Sequence, residues 1–421
     1  MYTADKTFAQ QADAEDVLAS FQKEFHKPKM ESGEPYLYFC GNSLGLQPIQ
    51  TAAYIKQELD DWANLGVEGH FHAKNPWKPY HESLAKPMAK ILGAKPSEVV
   101  IMNSLTVNLH LMMVSFYRPT KTRYKIVVES DAFPSDRYAV ASQAKMHGLD
   151  PEEAIVWWKP REGEELCRME DLEVIMKTHG DSVALLMIGN TNYYTGQFYP
   201  IEEITKLGHS YGAKVGFDLA HGAGNIYPDL HNAGPDFAVW CTYKYLNSGP
   251  GSLGGCFVHE RHATNTDLVR MAGWWGHDKA TRFNMRHDFL PIPGAEGWQL
   301  SNPAILSMVA VKSSLDVFDR ADFQRIRKKS VHMTGYLEYL LQEADSKNLR
   351  IITPTNAEER GCQLSIQIKG ADNRMAKTLL GSGIITDWRE PDVIRLAPVP
   401  IYTSYQEVYD LVGRLKQIIK N

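Results

Sequence analysis

The sequence is short of several things, and each shortage excludes a class of protein. It has five cysteines in 421 residues. An odd and sparse set builds no disulfide framework, so Cys40, Cys167, Cys241, Cys256 and Cys362 read as reduced thiols of a cytosolic protein. Charge of either sign is not in excess: 45 basic against 50 acidic residues leaves −5. With no block of like charges, a nucleic-acid footprint is not expected. The longest apolar run, near Val183 to Gly189, is too short to cross a bilayer, so no membrane partner is expected. The opening MYTADKTFAQQADAEDVL lacks the basic and apolar regions of a secretory signal, which points to a cytoplasmic location. No G-x-S-x-G supplies a nucleophile elbow. GPGSLGG (Gly249 to Gly255) lacks the strand, G-x-G-x-x-G, helix order of a dinucleotide site. There is no internal repeat and no low-complexity stretch.

What is present is a globular composition, 43% apolar and 23% charged, in a chain long enough for two or three domains. Short β-rich runs recur: KIVVES (Lys125 to Ser130), ALLMIG (Ala184 to Gly189), KVGFDLA (Lys214 to Ala220), FAVWCTYK (Phe237 to Lys244) and GGCFVH (Gly254 to His259). Between the second and third, Ile201, Ile204, Leu207 and Tyr211 fall on a helical period that ends at Gly212. Strand, helix, strand on this spacing predicts a crossover and a mostly parallel sheet. The last two runs are close enough to form an antiparallel excursion. After about Asn302 the texture becomes α+β. Long helices are expected over Pro303 to Ala344, strands at RIITP, CQLSIQI and VIRLAP, and a closing helix over Ser404 to Ile419. One helix is expected near the start, Ala14 to Phe25, before an extended YLYFCGNSLGLQP. The division that follows is an arm over 1–50 packing on a small domain, a large domain over 51–305, and the small domain over 306–421. The fold class is α/β, with a mostly parallel central sheet plus a smaller α+β unit.

Chemistry concentrates in GFDLAHGAGN and WCTYKYLNSGPG. Asp218 closes one apolar strand, His221 follows three residues later, and Lys244 closes another. A lysine at the C-terminal edge of a parallel sheet stands where such folds bind ligands. A partly desolvated lysine becomes a nucleophile able to form a Schiff base. Pyridoxal phosphate needs that lysine, an acid facing its pyridine nitrogen, an aromatic on its ring and a phosphate cup. Asp218 supplies the acid. NSLTVNLH (Asn103 to His110) offers a cup, with the N–H groups of Leu105 and Thr106 at a helix start; plain capping by Ser104 or Thr106 explains that segment equally well. Phe133 is the stacking candidate, against a simple core role.

FCGNSLGLQP, NSLTVNLH, AFPSDRY, YYTGQ, FDLAHGAGN, CTYKYLNSGPG, GWWGH, SNPAI and IRLAPVPIY occur in the order seen in kynureninases, and together they span Phe39 to Tyr402. The chain resembles that family. The resemblance implies a fold-type-I pyridoxal-phosphate enzyme, a homodimer with sites at the subunit interface. It implies hydrolytic cleavage of L-kynurenine, or its 3-hydroxy form, to anthranilate, or 3-hydroxyanthranilate, and L-alanine, in tryptophan degradation and NAD biosynthesis. Lys244 then matches the Schiff-base lysine. Leu105, Thr106, Phe133 and Asp136 match cofactor contacts, with Asp218 and His221 under the ring. Tyr243, Trp274 and Asn302 match phosphate contacts, some reaching across the dimer. Ser43, His70, Asn302 and Arg395 match substrate contacts. At Gly189 some relatives carry a serine that touches the cofactor, a contact this chain lacks.

The residues support these roles unevenly. Arg395 suits bidentate capture of an amino-acid carboxylate, although a surface ion pair is the plainer use. His70 is more simply structural. Tyr243, beside the lysine, is the candidate for proton delivery. In GWWGH, Trp274 is expected at the phosphate and Trp275 as a wall for an aromatic substrate, with burial in the core as the bland choice. His70, His72 and His81 could suggest a metal, but no cysteine or carboxylate cluster accompanies them, and none is expected. Two rival classes stand beside the main one. Another fold-type-I enzyme, a cysteine desulfurase or aminotransferase, is the nearer; the desulfurase needs a mobile cysteine, and Cys362, the one candidate, lies in a strand-like context. A non-enzymatic binding protein would be expected to have lost Lys244 or Asp218.

Overall fold

A computed structural model describes residues 2–344 and 348–420. Strands buried on both faces need continuous apolar runs, and VALLMIG is one, buried from Val183 through Ile188. It is an interior strand of a seven-stranded sheet. After a short β1 (Leu37–Tyr38), the sheet strands are β2 (Val99–Ile101), β3 (Lys125–Glu129), β4 (Ile155–Trp158), β5 (Val183–Gly189), β6 (Lys214–Asp218), β7 (Phe237–Trp240) and β8 (Gly255–Val258). Their spatial order is β2-β8-β7-β6-β5-β3-β4. The ladders from β7 through β4 are parallel, whereas β8 runs antiparallel to both β7 and β2. The expected antiparallel excursion is therefore β7–β8, joined by a loop and no crossover helix. Alternate residues feed two apolar clusters: Val127, Leu186 and Phe217 face one side, Val128, Leu185 and Val239 the other. Helices Pro134–Met146, Met169–His179 and Ile201–Ser210 are the crossovers.

Because β3, β5, β6 and β7 run parallel, their C-terminal ends share one edge. Glu129, Gly189 and Asp218 are last residues of three of them, and Lys244 follows the fourth by four positions. That edge is where a doubly wound sheet opens to ligands.

The second sheet is antiparallel. Its strands are β9 (Leu349–Ile351), β10 (Leu364–Ile368), β12 (Asp387–Arg389) and β13 (Val393–Leu396), in the order β12-β13-β10-β9, while β11 (Ile384–Ile385) pairs in parallel with β1. Helices Phe323–Ala344 and Tyr405–Lys420 pack on it. The helix before them, Ile305–Ala321, instead puts Met308, Leu315 and Phe318 into the core of the large sheet.

The N-terminal helix differs from expectation. It spans Lys6–Ala14, with only a 3₁₀ turn over Ala19–Glu24. Asp5 accepts from the Phe8 N–H and starts the helix early. Asp16 accepts from the Leu18 N–H and turns the chain out of it. Ala9, Leu37 and Phe39 join the apolar cluster of the second sheet, and the Asp13 carboxylate accepts from the N–H groups of Tyr405 and Gln406. Among the described residues, no helix is long and apolar enough to cross a membrane.

Candidate active site

At the end of β6 the chain turns sharply. The Leu219 N–H donates to Val239 O, and the Ala220 N–H donates to the Asp218 carboxylate at 2.6 Å. This turn aims His221 at the loop after β7. That loop is tied by the Asn247 N–H to Lys244 O and the Ser248 N–H to Thr242 O. Lys244 Nζ then lies 3.1 Å from His221 Nε2. Burial, and after it the charge of Lys244, pushes the His221 pKa well below its ordinary value. The imidazole is therefore neutral, and Nε2 is free to accept from the lysine. The Lys244 ammonium also stands 5.9 Å from the Phe133 ring centre and 5.8 Å from that of Tyr243.

Two helix starts close the other sides. Phe133 caps the helix Pro134–Met146, which puts Asp136 in its first turn. Leu105 opens the helix Leu105–Phe116 after Asn103 in a left-handed conformation. Gly254 allows this approach: a Cβ there would lie 2.5 Å from Trp240 O and 3.2 Å from Leu105 N. Thr106 and Ser135 join the two starts through their hydroxyls at 2.9 Å.

These elements line a cavity with about 580 Å³ of empty space, whose walls include Leu105, Thr106, Phe133, Asp136, Asp218, His221, Tyr243 and Lys244. Its electrostatics are unusual. Glu129, Asp131, Asp136 and Asp218 also border it, against the single cation Lys244. Burial pushes Glu129 up to about 8. Asp136 is held well above the carboxylate range by burial and then by Asp218's charge. Asp218 is raised by burial, with Asp136 and Lys244 working against that. Asp136 Oδ1 and His221 Nδ1 are buried with no hydrogen-bond partner. Such an acid-rich pocket with unfilled polar atoms fits a ligand that carries a positive ring N–H and polar ring substituents. Pyridoxal phosphate has that form, and the Lys244 amine lies in the same cavity.

Glu129 was not singled out by sequence, although an acid ending the strand two places from β6 is a readable signal. It accounts for Gly189. The Gly189 N–H donates to both Glu129 oxygens, at 3.0 and 3.2 Å, and a Cβ on Gly189 would lie 2.7 Å from Oε1. A serine here would press on the Glu129 carboxylate and force it to shift. Gly189→Ser is expected to cost about 1–3 kcal/mol of stability as overpacking. Urea unfolding checks it, and in a Glu129→Ala background that cost should vanish.

The register of β12 on β13 sets Asp387 directly opposite Arg395. Arg395 Nε donates to Asp387 Oδ1 at 2.7 Å, its Nη2 to Ser43 Oγ at 3.0 Å and its Nη1 to Tyr193 O at 2.9 Å. Tyr193 also lines the cavity, so this cluster adjoins it. Ser43 and Arg395 are thus brought together, with Asp387 and Arg389 as partners that sequence reading missed.

Three more expected residues neither line the cavity nor join the Arg395 cluster in the single chain. His70 holds Val67 O at 3.0 Å and packs edge-on to Trp77. Trp274 is half-exposed, with its indole N–H donated to Arg282 O. Asn302 is exposed. Trp275 is not an aromatic wall: it is 1% exposed, with the Arg282 guanidinium 4.1 Å from its ring centre. His72 faces Glu68 and His81 faces Glu296, so the three histidines do not converge. Two other groups among the described residues have metal-compatible spacing. In one, Glu98 already accepts from the Lys95 and Glu260 N–H groups and from His231. In the other, Lys279 bridges Glu82 and Glu296. Cys362 is fully buried, and burial pushes its thiol up to about 12, unlike a mobile catalytic thiolate.

Comparison with known proteins follows the same line. Residues 326–415 match the family described as kynureninase C-terminal domain. A kynureninase of Myxococcus xanthus is 55% identical over 99% of this chain and 98% of its own. Kynureninases of Koribacter versatilis and Flavobacterium psychrophilum are each 51% identical over 98% of this chain, and over 97% and 98% of their own. Among solved structures, an apo cysteine desulfurase of Thermococcus onnurineus NA1 superposes with a TM-score of 0.74 at 18% identity, over 91% of this chain and 95% of its own. A C-DES mutant with glycine linked covalently to its PLP cofactor gives 0.77 at 16% identity, over 90% and 96%. At such identities these two show the fold alone.

Proposed function

The chain belongs to the kynureninase family, and from that premise we propose how its residues perform the family's reaction. The protein is a pyridoxal-phosphate-dependent hydrolase that splits the Cβ–Cγ bond of L-kynurenine, or its 3-hydroxy form, to an anthranilate and L-alanine. The rival desulfurase reading rests on fold likeness below 20% identity; Cys362 is buried, and the half-buried Cys40 beside Ser43 has a thiol that burial pushes up to about 11. The single observation that carries the assignment is the approach of Lys244 to a neutral His221 in an acid-lined cavity.

When bound, the cofactor supplies an electron sink for the carbanions that arise beside the substrate amine. The chain does the rest. Lys244 Nζ is the attachment point and, once released, the base that takes the α-proton, with His221 Nε2 placed to share its protons. Asp218 keeps a proton on the ring nitrogen, and Asp136 supports it. Phe133 and His221, both lining the cavity, would hold the ring. The N–H groups of Leu105 and Thr106, at a helix start, would hold the phosphate, joined by Tyr243, Trp274 and Asn302. Arg395 and Ser43 hold the substrate carboxylate; His70 and Asn302 hold the aryl ketone. Water adds to the γ-carbonyl, and the C–C bond breaks with the aryl acid leaving. Burial raises the Tyr243 phenol, so it stays protonated and can deliver the proton that completes alanine.

His70, Trp274 and Asn302 lie outside the cavity of their own chain, and Trp62, Phe71, Trp274 and Leu306 are exposed apolar side chains. Both facts support a homodimer in which each site is completed by the second copy. The division into 1–50, 51–305 and 306–421 and a cytoplasmic location belong to the same reading.

The test is direct. Purified protein should show a visible absorption band that borohydride bleaches, and with kynurenine it should release fluorescent anthranilate and alanine in equal amounts. Release of sulfide from cysteine without anthranilate from kynurenine would overturn the assignment.

A further inference from the structure

Taking from the preceding section that Arg395 receives the substrate carboxylate, we propose that Asp387 is an internal stand-in for that carboxylate, and that Arg389 takes Asp387 up when substrate displaces it. Arg395 is 1% exposed, and all three of its guanidinium nitrogens already donate. Both Asp387 oxygens sit on its Nε and Nη2, Ser43 Oγ is on Nη2, and Tyr193 O is on Nη1. The fork that an amino-acid carboxylate would use bidentately is therefore occupied from across the β12–β13 ladder. Ser43 closes the circuit by donating its hydroxyl to Asp387.

The charge count leaves room for one more carboxylate. Two guanidiniums, Arg395 and Arg389, share one acid, and among the described residues neither has another ion-pair partner. Burial raises the Asp387 carboxyl, but the hydrogen bonds and charges of Arg395, Ser43 and Arg389 outweigh it and hold the group below its ordinary value. The stand-in thus stays ionised through the neutral range.

Arg389 has an open place for it. Its Nη2 lies 3.1 Å from Asp387 Oδ2, while its Nε is buried with no hydrogen-bond partner. Nε and the adjacent Nη2 form a second fork of the same shape. Asp387 can leave Arg395 for Arg389 by a short swing and stay paired throughout, so no buried charge is stranded. A carboxylate that brings no other contacts must compete with Asp387 and loses. Kynurenine, held also at its amine and aryl ketone, wins. The exchange makes the arginine selective and helps release alanine.

The experiment uses the holoenzyme and L-alanine as probe, by calorimetry and by competition against kynurenine. Asp387→Asn should tighten L-alanine binding about tenfold, a typical coupling between sites. Arg389→Gln should weaken it and raise the kynurenine KM by about the same factor, with the loss in KM rather than kcat. In the Asp387→Asn background, Arg389→Gln should have no further effect. Weaker L-alanine binding in Asp387→Asn would overturn the proposal, leaving Asp387 as a fixed support for Arg395. If Asp387→Asn does not fold, Asp387→Ala with formate replaces it: formate should raise the melting temperature of the variant and not of the parent, and an equal response would overturn the exchange. An unchanged kynurenine KM in Arg395→Lys would instead strike the role of Arg395 itself, while anthranilate release tests the reaction separately.

Discussion

Lys244→Ala should reduce kcat by about 10⁴-fold or more, the upper end of what a positioned acid–base group contributes, or about 5.5 kcal/mol of barrier. Lys244 is the one cation lining the cavity among the described residues. His221, its hydrogen-bond partner, is held neutral by burial and cannot replace it. Alanine removes both the attachment point and the proton carrier, and the two losses do not add because they belong to one atom. The spectrum should change with the rate: borohydride should no longer fix cofactor to the chain. The fold should survive. With the ammonium gone, the opposing charge that lowers Asp218 and Asp136 is lost, and both carboxyls move further up, which eases the repulsion between them. Calorimetric melting checks that point. A variant with parental turnover would remove Lys244 from the mechanism.

Why was Lys244 legible in the sequence when Asp387 was not? Lys244 and Asp218 each follow an apolar strand of a parallel sheet, and parallel strands put their ends on one edge. Neighbours in that edge can be inferred from strand ends alone. Asp387 meets Arg395 across an antiparallel ladder whose register depends on the turn between them. β12 is three residues long and half-buried, too short for a period to show. Glu129 lies between these cases: its position at a strand end was visible, but its pairing with the Gly189 N–H needed the β3–β5 register. Tandem tryptophans carry no direction in sequence. The backbone turns Trp274 outward at 46% exposure and Trp275 inward at 1%, which separates their uses. The early helix moved because two aspartates, Asp5 and Asp16, bond to nearby N–H groups. Such local competition is not contained in apolar spacing.

Asp218→Asn is the second large effect. The side chain is 6% exposed, and its Oδ1 takes the Ala220 N–H. The amide carbonyl can keep that bond, so the turn and His221 should remain in place. What is lost is charge. In the proposed role, Asp218 would hold a proton on the cofactor's ring nitrogen; asparagine would not, and the electron sink the cofactor supplies would be weakened. Removing one preorganised electrostatic group of this kind costs about 10²–10³ in kcat. KM should move little, because Arg395 and Ser43, the residues proposed to hold the substrate carboxylate, are untouched. The borohydride-sensitive band should persist, because Lys244 is intact, which separates this variant from Lys244→Ala. Asp136 sharpens the comparison. Burial is the main reason it is raised, and the Asp218 charge comes second. In Asp218→Asn the burial contribution remains, so Asp136 stays raised above its ordinary value and is a poor substitute for the ring anion. Asp136→Asn alone should cost about tenfold in kcat, as a supporting group whose loss is worth about 1.4 kcal/mol. Steady-state kinetics on the two variants decides the matter: equal losses would show that the acids act as one unit, and a larger loss at Asp136 would reverse their roles.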